Sequence, residues 1–333
     1  MPEGLTPILL AVLALAVVFD YINGFHDTAN AIATSVSTRA LRPAWAIAMS
    51  ATANFGGALV GTEVAQTISG GIVDPNVESQ TVIAAALVGA IFWNLLTWRL
   101  GIPSSSSHAL IGGLLGASLV SAGIDSWQID GVITKVLIPL VASPLIGFAI
   151  GLLAMGLLFN LFRRAHPVRL NAMFRRLQVG SAAYMAFSHG SNDAQKTMGI
   201  MTLALVTAGV QTSLEPPIWV ILTAATAISL GTAAGGWRII KTMGTKVVKL
   251  DPVHGFAAET TAATVITGAS VIGVPVSTTH VISSAIMGVG SSDRLKTVRW
   301  AVARSIVTAW ILTLPASGAT AGLAYLILNP LLG

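Results

Sequence analysis

Charge and cysteine are scarce in this chain of 333 residues. Asp, Glu, Lys and Arg together make up 9% of it, against about a quarter of a soluble domain, which leaves too little polar surface to cover a water-facing globule. Because 54% of the residues are hydrophobic and the mean hydropathy is +0.79, the expected solvent is lipid. The absence of cysteine excludes a disulfide framework, a thiolate nucleophile and a cysteine-bound metal. A removable signal is also missing: Met1 to Gly4 carries no base, and Leu5 to Val18 runs on without a small-residue cleavage site, so the first apolar segment is expected to be kept. The formal net charge is +5. Its bases cluster in loops beside apolar stretches, without interleaved aromatics, which fits the positive-inside bias of membrane proteins and excludes nucleic-acid binding.

What is present is a series of apolar stretches of about 20 residues or more, over 5–37, 43–65, 80–100, 132–162, 180–205, 217–236, 256–273 and 300–328. Two further apolar segments, 101–122 and 273–290, each open with Gly-x-Pro and a run of hydroxyl residues, which predicts re-entrant hairpin tips or broken helices. Loop charges alternate between halves. Arg39 and Arg42 follow the first span, whereas 205–215 offers only Glu215. Residues 66–78 carry Asp74 and Glu78, whereas their counterpart carries Arg238, Lys241, Lys246 and Lys249; Asp125 and Asp130 stand against Arg294, Lys296 and Arg299. Matching loops of opposite character predict an all-α integral membrane protein of two inverted-topology repeats with broken helices. The expected division is a first repeat over 1–162, a basic cytoplasmic connector over 163–177 and an inverted repeat over 178–333, in a plasma (inner) membrane with both termini extracytoplasmic. Trp45, Trp93, Trp98, Trp127, Trp219 and Trp300 stand near span ends, as interfacial anchors do.

Duplication also marks the chemistry. Gly24-Phe25-His26-Asp27-Thr28-Ala29-Asn30 returns as Gly190-Ser191-Asn192-Asp193-Ala194-Gln195-Lys196, and Gly101-Ile102-Pro103-Ser104-Ser105-Ser106-Ser107-His108 returns as Gly273-Val274-Pro275-Val276-Ser277-Thr278-Thr279-His280. The offsets are 166 residues (27 to 193) and 172 residues (108 to 280), about half the chain. A carboxylate deep in an apolar run costs several kcal/mol unless paired or solvated, and one such residue alone is as often a structural hydrogen-bond partner; two in register argue for a site. Asp20 has no counterpart and reads as structural. Gly24 and Gly190 each permit a helix break that frees backbone groups. Asp27 and Asn30 share a helix face, as do Asp193 and Lys196. The hydroxyl runs suit oxyanions if they open a helix, although hydroxyls after Pro also serve simply as N-caps. His108 and His280 are expected to support the tips from behind. Glu259 is either interfacial or part of an ion path.

These segments resemble the inorganic phosphate transporter (PiT) family, whose duplicated signature has the form Gly-Ala-Asn-Asp-Val-Ala-Asn. Asn23 to Ala31 and Ser188 to Lys196 look like its two signature segments, and the two Pro-x-Ser-(Ser/Thr)-(Ser/Thr)-His segments look like its hairpin tips; the likeness covers essentially the whole chain. The resemblance implies an inverted-repeat symporter for phosphate with H+ or Na+, and not an enzyme, with substrate held near the midplane. Carried over, it nominates Asp27, Asn30, Asp193, Ser105, Ser106, Ser107, Ser277, Thr278 and Thr279. His26 stands where the first copy commonly has Asn, and Lys196 where the second does. Lys196 is therefore expected to add a fixed positive charge at the anion, and His26 a group that titrates near neutral pH, which favours proton coupling. Alternatively, Lys196 only neutralises Asp193. The coupling-ion candidates are His26, Asp27, Asn30, Asn192, Asp193 and Glu259. No cofactor and no resident metal are expected; the expected partners are phosphate and the bilayer, with a homodimer left open.

Rival readings remain. Sulfate would suit hydroxyls and helix N-termini equally, but carboxylates accept hydrogen bonds from HPO4 or H2PO4 and repel fully ionised sulfate. A divalent metal could travel through His26, Asp27 and Asp193, alone or as a metal-phosphate complex. An intramembrane Ser/His hydrolase is disfavoured because Ser and His are sequence neighbours, no Gly-x-Ser-x-Gly elbow occurs, and a duplicated nucleophile has no catalytic use.

Overall fold

A computed structural model describes residues 6–76, 78–293 and 297–332; Arg294 and Lys296, used above in the loop-charge argument, lie outside the described residues. Among the described residues the architecture is helical, with a single isolated bridge between Val73 and Trp127. Helix α1 (Pro7–Ser37) starts where Thr6 accepts a hydrogen bond from the Leu9 N–H, with Pro7 in the first turn, where its missing N–H costs nothing. The stretch 43–65, expected as one span, is two helices, α2 (Pro43–Ala58) and α3 (Glu63–Gly70), separated by a turn. Helix α4 (Gln80–Leu100) ends at Gly101, whose φ of 67° only glycine adopts freely, and α5 (Ser106–Ala122) begins after Pro103. A single turn, α6 (Ile129–Gly131), leads through a π-helical turn (Val132–Leu137) into α7 (Ile138–Phe162).

Helix α8 (Pro167–Thr207) opens the second half, so only 163–166 links the halves and the rest of the expected connector is helix. Helices α9 (Ile218–Ala234) and α10 (Trp237–Lys241) follow, with a π-helical turn over Thr242–Lys246 and a bend of 63° between α9 and Arg238–Lys246. Then come α11 (Pro252–Val271), which stops before Gly273 (φ 68°), α12 (Thr278–Asp293) and α13 (Trp300–Leu332). Among the described residues, four helices are long and apolar enough to cross a membrane unaided: α1, α4, the run Ile129–Phe162 and α13. Apolar side chains such as Leu145, Leu153 and Leu157 on α7 and Leu323 and Ile327 on α13 face outward, as lipid contact requires.

The halves interlock. Helix α1 packs on α9 while its counterpart α8 packs on α2, and α5 lies along α13 while α12 lies along α7. The expected break at Gly24 and Gly190 is absent, because α1 and α8 run through both residues as continuous helix. Close approach explains these glycines instead: a Cβ on Gly24 would stand 2.3 Å from the Ile228 carbonyl oxygen, and one on Gly190 2.2 Å from that of Asn54. Within the duplicated motifs the breaks fall at the tips, where Gly-x-Pro ends one helix and hydroxyl residues begin the next. Trp45, Trp219 and Trp300 are exposed near helix starts. Trp93 and Trp127 instead turn inward, donating to Thr313 Oγ1 and the Leu115 carbonyl, each at 3.1 Å.

Candidate functional site

Helices α1 and α8 each carry one acidic face to the centre, and the two tips meet them there. Asp27, Asn30, Ser106, Ser107, Asp193, Lys196, Thr278 and Thr279 are all buried. On α8 the spacing of three and four residues aligns His189, Asp193 and Lys196 on one face. The Lys196 ammonium donates to Asp193 Oδ1, to Ser107 Oγ of the first tip at 2.5 Å, and to the Val276 carbonyl of the second tip at 2.8 Å. Asn30, the positional counterpart of Lys196, donates from Nδ2 to Thr279 Oγ1 at 2.9 Å and to Thr278 Oγ1 at 3.3 Å. Each signature helix thus holds the tip from the opposite half.

The two carboxylates differ in what they hold. Asp193 Oδ2 accepts from Thr278 Oγ1 at 3.0 Å and lies 3.1 Å from His189 Nε2. In the first half the corresponding atoms, Asp27 Oδ2 and Ser106 Oγ, have no partner. Asp27 Oδ1 is 2.6 Å from His26 Nδ1, and the far side of that imidazole meets Thr97 Oγ1 at 3.2 Å and Ser104 Oγ at 3.4 Å. One ligand atom from each of Asp27, His189 and Asp193 falls within 4.8 Å of the others, close enough to share one cation.

Ser105 and Ser277 sit one residue earlier on the tips, and their side chains cap α5 and α12 by accepting the backbone N–H of His108 and His280 at 3.1 and 3.2 Å. This leaves Ser106, Ser107, Thr278 and Thr279 at two helix N-termini that both point at the cluster, a donor arrangement suited to an oxyanion. His108 and His280 lie behind the tips with ring centroids 4.7 Å apart, and His280 stacks on Trp310 at 4.1 Å. Asn192 reaches sideways to Ser270 Oγ at 2.8 Å.

Glu259 belongs to a second buried cluster. Its carboxylate accepts from Thr34, from Gln178 Nε2 at 3.2 Å and from Ser181 Oγ at 2.5 Å. His189 escaped the sequence reading, although its place four residues before Asp193 is the signal that would have found it. Asn54 holds it from α2, Oδ1 to Nδ1 at 3.0 Å, and no sequence spacing foretells that contact. With both carboxylates ionised and both imidazoles neutral, Asp27, Asp193 and Lys196 sum to one negative charge. Such a centre attracts an anion only when protons or cations enter with it.

The profile of the phosphate transporter family matches residues 23–172 and 161–321. The chain is 50% identical over 325 residues to a probable low-affinity inorganic phosphate transporter of Bacillus subtilis (strain 168), covering 97% of each protein. A protein with the same description from Rhizobium meliloti (strain 1021) is 48% identical over 321 residues, 96% of each. Among solved structures, a sodium-dependent phosphate transporter superposes with a TM-score of 0.85 at 27% identity, over 98% of this chain and 100% of that one.

Proposed function

From a chain that belongs to the phosphate transporter family, a multi-pass membrane carrier and not an enzyme, we infer proton-coupled import of inorganic phosphate across the plasma membrane. The observation that carries this reading is the Lys196 ammonium, which joins Asp193 to both tips. A fixed cation there performs part of the charge compensation that a bound Na+ would otherwise supply. Asp27 Oδ2 and Ser106 Oγ, both unpartnered, are the atoms that receive phosphate: the carboxylate accepts a hydrogen bond from its P–OH group, and the hydroxyl donates to its oxyanion. Ser107 and Thr279, whose hydroxyls accept from Lys196 and Asn30 and keep their own protons, complete the donors, while Thr278, which donates to Asp193, and Asn30, whose amide serves both threonines, hold the second tip in place. A proton on His26 or His189 removes the remaining negative charge.

The two halves act as inverted repeats that present the centre alternately to each side, with both termini extracytoplasmic. A second reading has a specific observation behind it: the Asp27, His189 and Asp193 ligand atoms could take a divalent ion carried as a metal-phosphate complex. Labelled phosphate uptake into proteoliposomes under imposed gradients tests the coupling. An inward pH gradient is expected to drive accumulation without Na+; uptake that needs a Na+ gradient and ignores pH would overturn proton coupling. Uptake that requires Mg2+ or Mn2+ would establish the metal complex as cargo.

A further inference from the structure

One buried carboxylate has no place in the phosphate cluster. Asp20 lies two turns before Asp27 on α1, is fully buried, and has no hydrogen-bond partner on either oxygen. Asn23 and Thr197 are its polar side-chain neighbours, and Asn23 Oδ1 and Thr197 Oγ1 have no hydrogen-bond partner of their own. Asn94, buried with both amide atoms unpartnered, joins the same layer. Helices α1 and α4 run parallel, since Leu15 and Val88 line one cavity and His26 meets Thr97, and this places Asn94 at the level of Asn23.

Three of these four positions are polar in one half only, the exception being Asn23, which corresponds to His189. At the pseudo-symmetric positions in the other half, Asp20 corresponds to Ala186, Thr197 to Ala31 and Asn94 to Ile266, all buried and apolar. Glu259 is equally buried but accepts three hydrogen bonds, whereas Asp20 accepts none. The charged groups whose fields reach Asp20 are Asp193 and Lys196 of α8. Lys196 is already committed to Asp193, Ser107 and Val276, and Asp193 repels a second anion. Neither α2 nor α9 contains an ionisable residue, and α4 has none before Arg99. An ionised Asp20 here would be an uncompensated charge inside the bilayer, so it requires a positive partner of its own.

We propose that Asp20 is a proton-binding site of the transport cycle, outside the phosphate cluster, with Asn23, Asn94 and Thr197 as the polar groups through which its proton enters and leaves. The proposal rests on the proton-coupled reading above. The test compares wild type with Asp20→Asn and Asp20→Glu in proteoliposomes. It measures phosphate accumulation under a pH gradient, phosphate–phosphate exchange without any gradient, and acidification of a trapped pH-sensitive dye.

A gradient of one pH unit supports about a tenfold accumulation ratio per coupled proton. Asp20→Asn is expected to lose that accumulation and the phosphate-dependent acidification while keeping exchange, and Asp20→Glu to recover both. Asp20→Asn that accumulates phosphate like wild type overturns the proposal. So does a folded, phosphate-binding Asp20→Asn that has lost exchange as well, which would place Asp20 in the substrate machinery. Should Asp20→Asn not fold, Thr197→Val carries the test, and an unchanged pH dependence of its accumulation together with unchanged acidification overturns the proposal. Wild-type uptake driven only by Na+ overturns the coupling reading as well; wild-type uptake driven by protons with normal coupling in Asp20→Asn overturns the Asp20 assignment alone.

Discussion

Replacing Lys196 separates its two roles, as counter-ion to Asp193 and as a cation at the anion site. Lys196→Met removes hydrogen bonds to Ser107 and the Val276 carbonyl and leaves Asp193 buried with Thr278 at 3.0 Å and His189 at 3.1 Å. Breaking a buried ion pair by deleting one partner costs about 3–5 kcal/mol, and the two surviving contacts put this case near the lower end, at about 3 kcal/mol. Asp193→Asn alone strands the ammonium and is expected to cost a similar amount. The double variant Asp193→Asn/Lys196→Met strands neither charge, and replacing a whole buried pair is often close to neutral, within about 1 kcal/mol. Melting temperature in detergent should therefore fall in each single variant and recover in the double one. Phosphate uptake should fail in all three, because the double variant restores packing but not the cation. A double variant that takes up phosphate at the wild-type rate would show that Lys196 only neutralises Asp193 and would refute the assigned role. A Lys196→Met protein melting like wild type would refute the buried pair itself.

Three further outcomes are expected. Gly24→Ala and Gly190→Ala each force a Cβ to within 2.3 Å of a backbone oxygen; overpacking of this kind costs about 1–3 kcal/mol, so both should melt lower than Gly56→Ala, whose Cβ meets nothing within 4 Å. Equal melting of the three would contradict the close helix contact. Asn30→Ala deletes donors to Thr278 and Thr279 worth about 0.5–1.5 kcal/mol each, and half-maximal uptake should move to roughly tenfold higher phosphate; an unchanged concentration dependence would remove Asn30 from the site. Asp251, at the start of α11 outside the spans, has burial working to raise its carboxyl, but the hydrogen bond and charge of His254, with the N–H groups of His254 and Val253, hold it below the usual carboxylate range. A depressed folded value stabilises fully above the unfolded value of about 4 and is lost as pH falls through the folded one. Asp251→Asn should flatten the fall in melting temperature below about pH 4, and an identical acid profile would refute the contribution.

Much of this protein was legible in one dimension because lipid makes polar residues conspicuous. A chain with so little charge has to bury its few carboxylates for a reason, and the return of Asp27 as Asp193 and of one hydroxyl tip as another exposes that reason without coordinates. Gly-x-Pro before hydroxyl runs places the helix breaks correctly, since proline and left-handed glycine act locally. The role of Gly24 and Gly190 was not legible, because a glycine that allows a break and one that admits a neighbouring backbone have the same sequence. Tertiary structure alone decided that Lys196 crosses to the first tip and Asn30 to the second, that His189 joins Asp193, and that Glu259 lies in a separate cluster. These pairings join residues up to 249 positions apart; they follow from how the two halves interlock, which no local spacing records.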